Sequence, residues 1–401
     1  MRLLTRLAAT ILIGAAGCWT APAMADEGFS RWIAGFWPVA HDAGITRPVF
    51  DAAFRGVTPD PEVLEKANSQ AEFVKPLWEY VSTVVSDKRI ATGRAMLQQH
   101  KAALDAIEAR YGVDRYTLVA IWGIESSYGD ALDDPKKVKS VVRSLATLAY
   151  ADPSRAKFGR QQLIATLKIL QHGDVSVKGL TGSWAGAMGH TQFIPTTYNG
   201  YAVDFDGDGR RNIWTDPDDA LASSANYLAR SGWVPGKTWG YEVVVPPGFR
   251  ASGKNGARTV AEWQKLDVRR AGTAGFPRGD DRATLVAGGD GGPAFLMLKN
   301  HYVIKRYNNA TAYALAVGHL ADRLRGAGEF VNNWPQAASL LSEAEGREVQ
   351  EHLTRAGYYQ GDIDGAFGPE SRAAIRAYQE ERGLAADGRP DVDLLKILRG
   401  G

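Results

Sequence analysis

Asp114-Arg-Tyr-Thr-Leu-Val-Ala-Ile-Trp-Gly-Ile-Glu125-Ser-Ser-Tyr-Gly129 is the stretch on which the reading of this chain turns. Asp114 has the side chain of a helix N-cap. From Leu118 to Ile124 the residues are apolar on nearly every helical face, which predicts a helix buried all round. Gly129 is the expected stop. One carboxylate, Glu125, closes the apolar run. In apolar surroundings the charged form of a carboxyl is disfavoured, so its pKa rises and it can hold a proton near neutrality. Protonation of a leaving oxygen by a general acid requires that property. The bland alternative is a glutamate that emerges into water at the helix end, and Glu125 alone does not separate the two.

Outward from this helix the pattern is mostly helical. Apolar residues recur at three- and four-residue spacing over 29–36, 49–54, 71–86 and 97–111, and again over 138–150, 160–171, 218–231 and 310–325. Between 233 and 300 the texture changes. Tyr241–Pro246 and Ala294–Leu298 read as strands joined by Gly- and Pro-rich connections, a small, partly β insertion. Residues 326–338 read as a linker and 339–401 as a separate unit. The expected class is mainly α with a minor β part (α+β).

Composition agrees with a globular, multi-domain chain: 401 residues, 45% hydrophobic and 23% charged. The 47 basic residues against 45 acidic ones give a net charge of +2, without the footprint of a nucleic-acid binder. The first residues read as an export signal. Arg2 and Arg6 precede an apolar run from Leu7 to Gly17, and Ala23-Met24-Ala25 is a small-x-small cleavage site. Cleavage after Ala25 leaves equal numbers of basic and acidic residues and removes Cys18, the one cysteine. A periplasmic location is expected, because small eukaryotic secreted domains lean on disulfides. The rival reading makes Gly17-Cys18 a lipoprotein site, with Cys18 acylated and the protein anchored to the outer membrane.

A second block, Gly182-Ser-Trp-Ala-Gly-Ala-Met-Gly-His-Thr-Gln-Phe-Ile-Pro-Thr-Thr-Tyr198, carries small residues that let backbone approach a ligand or a helix, with Ser183 and Gln192 as hydrogen-bonding groups. His190 reads as a wall or packing residue. The seven histidines form no His-Glu-x-x-His helix, so a zinc peptidase is not indicated. Taken together, Ile124-Glu125-Ser-Ser-Tyr-Gly129 and Ala185-Gly-Ala-Met-Gly…Gln192-Phe-Ile-Pro resemble the membrane-bound lytic transglycosylase B family, over about 28–325. The resemblance implies a lysozyme-like fold, peptidoglycan glycan strands as the partner, a monomer, and no catalytic cofactor. It implies Glu125 as the single catalytic acid and base. It further implies substrate contacts at Tyr80, Ser183, Gln192, Tyr227, Tyr307, Asn308 and Tyr313, although tyrosines of this kind also serve in cores. A muramidase that hydrolyses the same bond, and a non-catalytic wall-binding scaffold, are the alternatives.

Asp204-Phe-Asp206-Gly-Asp208-Gly-Arg210 opens like an EF-hand loop, with hard oxygens suited to Ca²⁺. Its twelfth position is Thr215 rather than Glu. In the family resembled here a later Asp closes the loop, which implies Asp219, with the Arg210 carbonyl as a further ligand to a structural Ca²⁺. At the C-terminal end, a helix over 349–357, the Asp364-Gly365 turn and Gly368-Pro369 before the next helix resemble a three-helix peptidoglycan-binding domain. Ile375, Tyr378 and Leu384 are the expected closure of its small core.

Overall fold

In a computed structural model the described residues run from 21 to 400, except 70–76, 247–248, 250–255, 273, 288–291, 333, 335–340, 366, 385 and 387. Residues 1–20 of the expected 1–25 signal, including Cys18, lie outside them, as do the first part of the 71–86 helix and most of the second half of the linker.

The N-terminal half is a succession of helices: α1 (Ala21–Asp42), α2 (Arg47–Phe54), α3 (Pro61–Ser69), α4 (Leu77–Val84), α5 (Asp87–Gln99), α6 (Lys101–Tyr111) and α7 (Arg115–Ser126). Then come the two-residue strand β1 (Lys139–Ser140), α8 (Val141–Ala151), α9 (Ala156–His172), β2 (Thr181–Gly182), α10 (Pro195–Tyr201) and α11 (Pro217–Arg230). Local chemistry sets the ends. Asp114 caps α7 by accepting the Tyr116 N–H at 3.1 Å, and Pro195 and Pro217 occupy first-turn positions where a missing N–H costs nothing.

Two cores carry the body. The first wraps α7, whose residues from Thr117 to Gly123 are all buried, and draws on α5, α6, α11 and a later helix. The second joins α1, α2, α8 and α9 to the Gly-rich block. Helices α8 and α9 approach so closely that a Cβ on Gly159 would lie 2.7 Å from the Ala149 nitrogen. Tyr227 and Tyr307 pack against both cores, so the seam between them is aromatic.

The insertion contains β3 (Gly240–Val244), β4 (Arg258–Thr259), α12 (Val260–Lys265), β5 (Arg269–Arg270), β6 (Arg282–Ala287) and β7 (Ala294–Met297). They form an antiparallel sheet in the order β4-β6-β7-β3-β5. The two strands legible in the sequence pair directly, with Tyr241 opposite Leu296. Of the other three, β4 and β5 are two residues long, and β6 alternates in burial but carries Leu285 and Val286 side by side, which hides the period of two. Helices α13 (Lys299–Ile304) and α14 (Thr311–Arg325) return the chain to the first core.

The first part of the expected linker is tied down. The Glu242 carboxylate accepts the N–H groups of Val331 and Asn332, each at 2.7 Å. Phe330 stacks on His319 with ring centroids 3.8 Å apart and meets Phe295 edge-on. The last unit holds α15 (Glu343–Arg355), α16 (Pro369–Glu381) and α17 (Val392–Leu398). Ile375 and Tyr378 are buried there as expected, but Leu384 is 37% exposed. Leu394 and Leu395 of α17 close the core in its place, because a helix docks two neighbouring leucines where a turn residue offers one.

Candidate active site

Glu125 is the penultimate residue of α7. The helix stops at Ser126, three residues before the expected stop at Gly129. Ser127, Tyr128 and Gly129 all adopt left-handed backbone, with φ of 53°, 62° and 99°. For the first two this costs on the order of 1–2 kcal/mol each, and surrounding contacts must hold it. They are on hand. The Ser126 hydroxyl donates to the His190 carbonyl at 2.7 Å, and its oxygen accepts the Gly129 N–H at 3.1 Å. The Tyr128 hydroxyl donates to the Arg89 carbonyl at 2.9 Å. The Tyr128 ring lies over Gly123, where a Cβ would sit 2.5 Å from it.

The turn therefore aims Glu125 into the seam between the cores. Its side chain is partly open to solvent, yet protein surrounds the carboxyl closely enough for burial to push its pKa from 4.5 up to about 7. The Tyr313 hydroxyl donates to Glu125 Oε1 at 2.6 Å and opposes part of that rise by stabilising the carboxylate. Neither contribution comes from another carboxylate.

The sequence-derived residues fall into three groups. Tyr80, Tyr307 and Tyr313 lie within electrostatic reach of Glu125. Burial and the Glu125 charge push Tyr80 to about 12 and raise the other two well above the ordinary tyrosine value. Tyr313 is only 2% exposed, so its place is behind the acid rather than on an open wall. A second group offers ring faces more than hydroxyls. The Tyr307 hydroxyl donates to the Thr191 carbonyl at 2.7 Å and lies 3.0 Å from Ser224 Oγ, while the Tyr227 hydroxyl donates to the Arg306 carbonyl at 2.5 Å. The third group keeps polar atoms available. Ser183 Oγ accepts the N–H groups of Ala185 and Ala187 at 3.3 and 3.1 Å, which leaves its proton to donate. Gln192, at a positive φ of 52°, donates Nε2 to the Gly189 carbonyl at 2.8 Å. Asn308 is exposed.

The role of His190 as a weld was not legible in the sequence. Its Nδ1 accepts the Trp122 indole N–H at 3.0 Å, its carbonyl takes the Ser126 hydroxyl, and a Cβ on Gly129 would lie 2.7 Å from its ring. Burial holds it down at about 4, so the imidazole is a neutral acceptor at pH 7. It joins the Gly-rich block to the end of α7. Only the serine beside Glu125 hinted at such a bond.

The aspartate loop gathers Asp204, Asp206 and Asp219, with one carboxylate oxygen of each within 4.8 Å of the others. Asp208 is not drawn into this group. Its carboxylate accepts the Arg210 N–H at 2.8 Å, and both residues are exposed. Burial, with the charges of Asp216 and Asp206, pushes Asp219 up to about 6, while the N–H groups of Phe205 and Asn212, which its two oxygens accept at 2.6 Å each, oppose the rise. Oxygen donors of this kind fit Ca²⁺.

The chain matches the transglycosylase SLT domain family over residues 28–322 and a peptidoglycan binding domain over 342–398. It is 33% identical over 249 residues to the membrane-bound lytic murein transglycosylase B of Escherichia coli, a match covering 60% of this chain and 65% of that one. Its fold resembles SltB3 of Pseudomonas aeruginosa, solved in complex with NAG-NAM-pentapeptide and with NAG-anhNAM-pentapeptide. The identity is 47% and the TM-score 0.74, over 92% of this chain and 99% of that one. It also resembles the Escherichia coli lytic transglycosylase Slt35 in complex with calcium, at 26% identity and a TM-score of 0.62, over 75% of this chain and 93% of that one. With nearly three quarters of its length inside the match, the chain belongs to the transglycosylase SLT domain family.

Proposed function

We propose that this protein is a lytic transglycosylase that cleaves the β-1,4 bond between N-acetylmuramic acid and N-acetylglucosamine in peptidoglycan. The carrying observation is a carboxyl, Glu125, held at a pKa of about 7 in an aromatic seam. At neutral pH a large share of it is protonated and able to donate to the glycosidic oxygen. The positive charge that develops at C1 then needs a partner. The substrate's own N-acetyl group fills that role, steadied by Ser183 or Asn308. The resulting Glu125 carboxylate takes the proton of the C6 hydroxyl, whose oxygen closes onto C1. The product is a 1,6-anhydromuramoyl end, and no water is consumed. A hydrolase of the paired-carboxylate type sets a second acid about 5–9.5 Å away. A carboxylate at the near end of that range would add charge repulsion to the Glu125 pKa, and none contributes. The anhydro ligand of the SltB3 structure supports the same reading.

Asp204, Asp206 and Asp219 would hold a Ca²⁺ that braces the loop and supplies no chemistry. The C-terminal unit would hold glycan strands near the body, and the signal-like residues 1–25 support a periplasmic site of action. Among the described residues no helix is long and apolar enough to cross a membrane. Mass spectrometry of digested sacculi tests the proposal. The wild type should release products lighter by one water than reducing-end muropeptides, and Glu125→Gln should release none. Reducing-end products alone would make the enzyme a muramidase.

A further inference from the structure

Beside the Tyr307 ring, on the seam that Glu125 faces, lies a recess of about 160 Å³ whose lining includes Gln192, Thr197, Tyr227 and Tyr307. That is well below the roughly 300–1,000 Å³ of sites that enclose a whole small ligand, so it suits one substituent of a larger one. Both tyrosine hydroxyls at its wall are spent on carbonyls, which leaves aromatic faces. One charged residue lines it, Arg306, which is exposed, and no carboxylate does.

Arg306 is unusual in how it is held. Its N–H donates to the Val303 carbonyl at 3.0 Å, and its carbonyl accepts the Tyr227 hydroxyl at 2.5 Å, so its backbone is fixed at the turn after α13. Its guanidinium has no ion pair or hydrogen bond among the described residues, and it lies close enough to the Tyr227 hydroxyl to favour that group's ionisation. A fixed backbone, an aromatic wall and an uncommitted planar cation make a receptor for a carboxylate.

We propose that Arg306 is a specificity-determining residue that binds a carboxylate carried by the muramoyl unit of the glycan. This rests on the peptidoglycan reading above, and names the feature by which the cleft separates such strands from a polymer of N-acetylglucosamine alone. Two sources supply that chemistry. In a peptide-bearing strand the lactyl group is amidated and the carboxylate belongs to the peptide; in a denuded strand it is the lactyl carboxylate itself.

The test compares Glu125→Gln with Glu125→Gln/Arg306→Gln in equilibrium binding to three probes: peptide-bearing glycan, glycan denuded by an amidase, and an N-acetylglucosamine oligomer. The double variant should bind the oligomer as well as its parent and a carboxylate-bearing probe about tenfold more weakly, the size of one charge-assisted contact in partly exposed surroundings. Arg306→Lys should recover part of the loss. Loss confined to the peptide-bearing probe assigns the peptide carboxylate, and loss confined to the denuded probe assigns the lactyl group. Equal affinity for all three probes, or an equal loss on the oligomer, overturns the proposal. Failure of the peptidoglycan reading shows elsewhere, as absence of anhydro products from the wild type.

Discussion

Replacing Glu125 by Gln should abolish turnover and make the protein more stable. The glutamate's folded pKa of about 7 stands above its unfolded value of 4.5. For a carboxyl raised in this sense, the folded state holds more protons than the unfolded state between those pH values, so stability falls as pH rises from about 4.5 to about 7. At roughly 1.4 kcal/mol per pH unit, the full penalty above pH 7 is about 3 kcal/mol. Water reaching the partly exposed side chain trims it, and we expect about 2–3 kcal/mol. Glutamine has the shape of the protonated acid and its Oε1 can still accept the Tyr313 hydroxyl, so the variant escapes the penalty without a cavity. Thermal unfolding at pH 8 should place its Tm roughly 4–6 °C above wild type. At pH 4, where both forms of the glutamate are protonated, the two curves should coincide. A variant no more stable than wild type at pH 8, or equally stabilised at pH 4 and pH 8, would refute the raised pKa and with it the neutral general acid.

Other perturbations follow from particular contacts. Tyr313→Phe deletes a bond that favours the Glu125 carboxylate, so the alkaline limb of the kcat profile should move to higher pH, by up to about one unit for a hydrogen bond to a charged group. Gly123→Ala drives a methyl into the Tyr128 ring and should cost about 1–3 kcal/mol in denaturant unfolding. Added Ca²⁺ should raise the wild-type Tm and leave that of Asp219→Asn unchanged, since the variant removes one of three gathered carboxylates. Deleting 339–401 should weaken binding to sacculi in a pull-down and spare turnover of soluble glycan fragments.

Much of this was legible because it is local. Asp114 before an all-apolar helix, Glu125 at its end, and Gly-Pro before α16 are chemistry that neighbouring residues settle among themselves. The loop of alternating aspartates was equally visible, but not which members meet. Asp208 turns to the Arg210 N–H, while Asp219, on the next helix, comes in by accepting the N–H groups of Phe205 and Asn212. The strands β4 and β5 went unread because each is two residues long, and β6 because Leu285 and Val286 stand side by side and blur its period of two. The run at 326–338 looks like a tether, yet Glu242, on a distant strand, claims its N–H groups.

By itself the sequence determined a buried helix ending in one carboxylate, a Gly-rich block, and a small separate helical unit. The tertiary structure decided what that carboxylate is. Tyr313, 188 residues further along the chain, supplies its hydrogen bond, and Tyr307 reaches across 116 residues to the Thr191 carbonyl. A carboxyl's proton affinity depends on how much water and which dipoles surround it, and those arrive from segments far apart in the chain. Residue order shows that an acid is present; only the packing of two cores along one seam makes it hold a proton at pH 7.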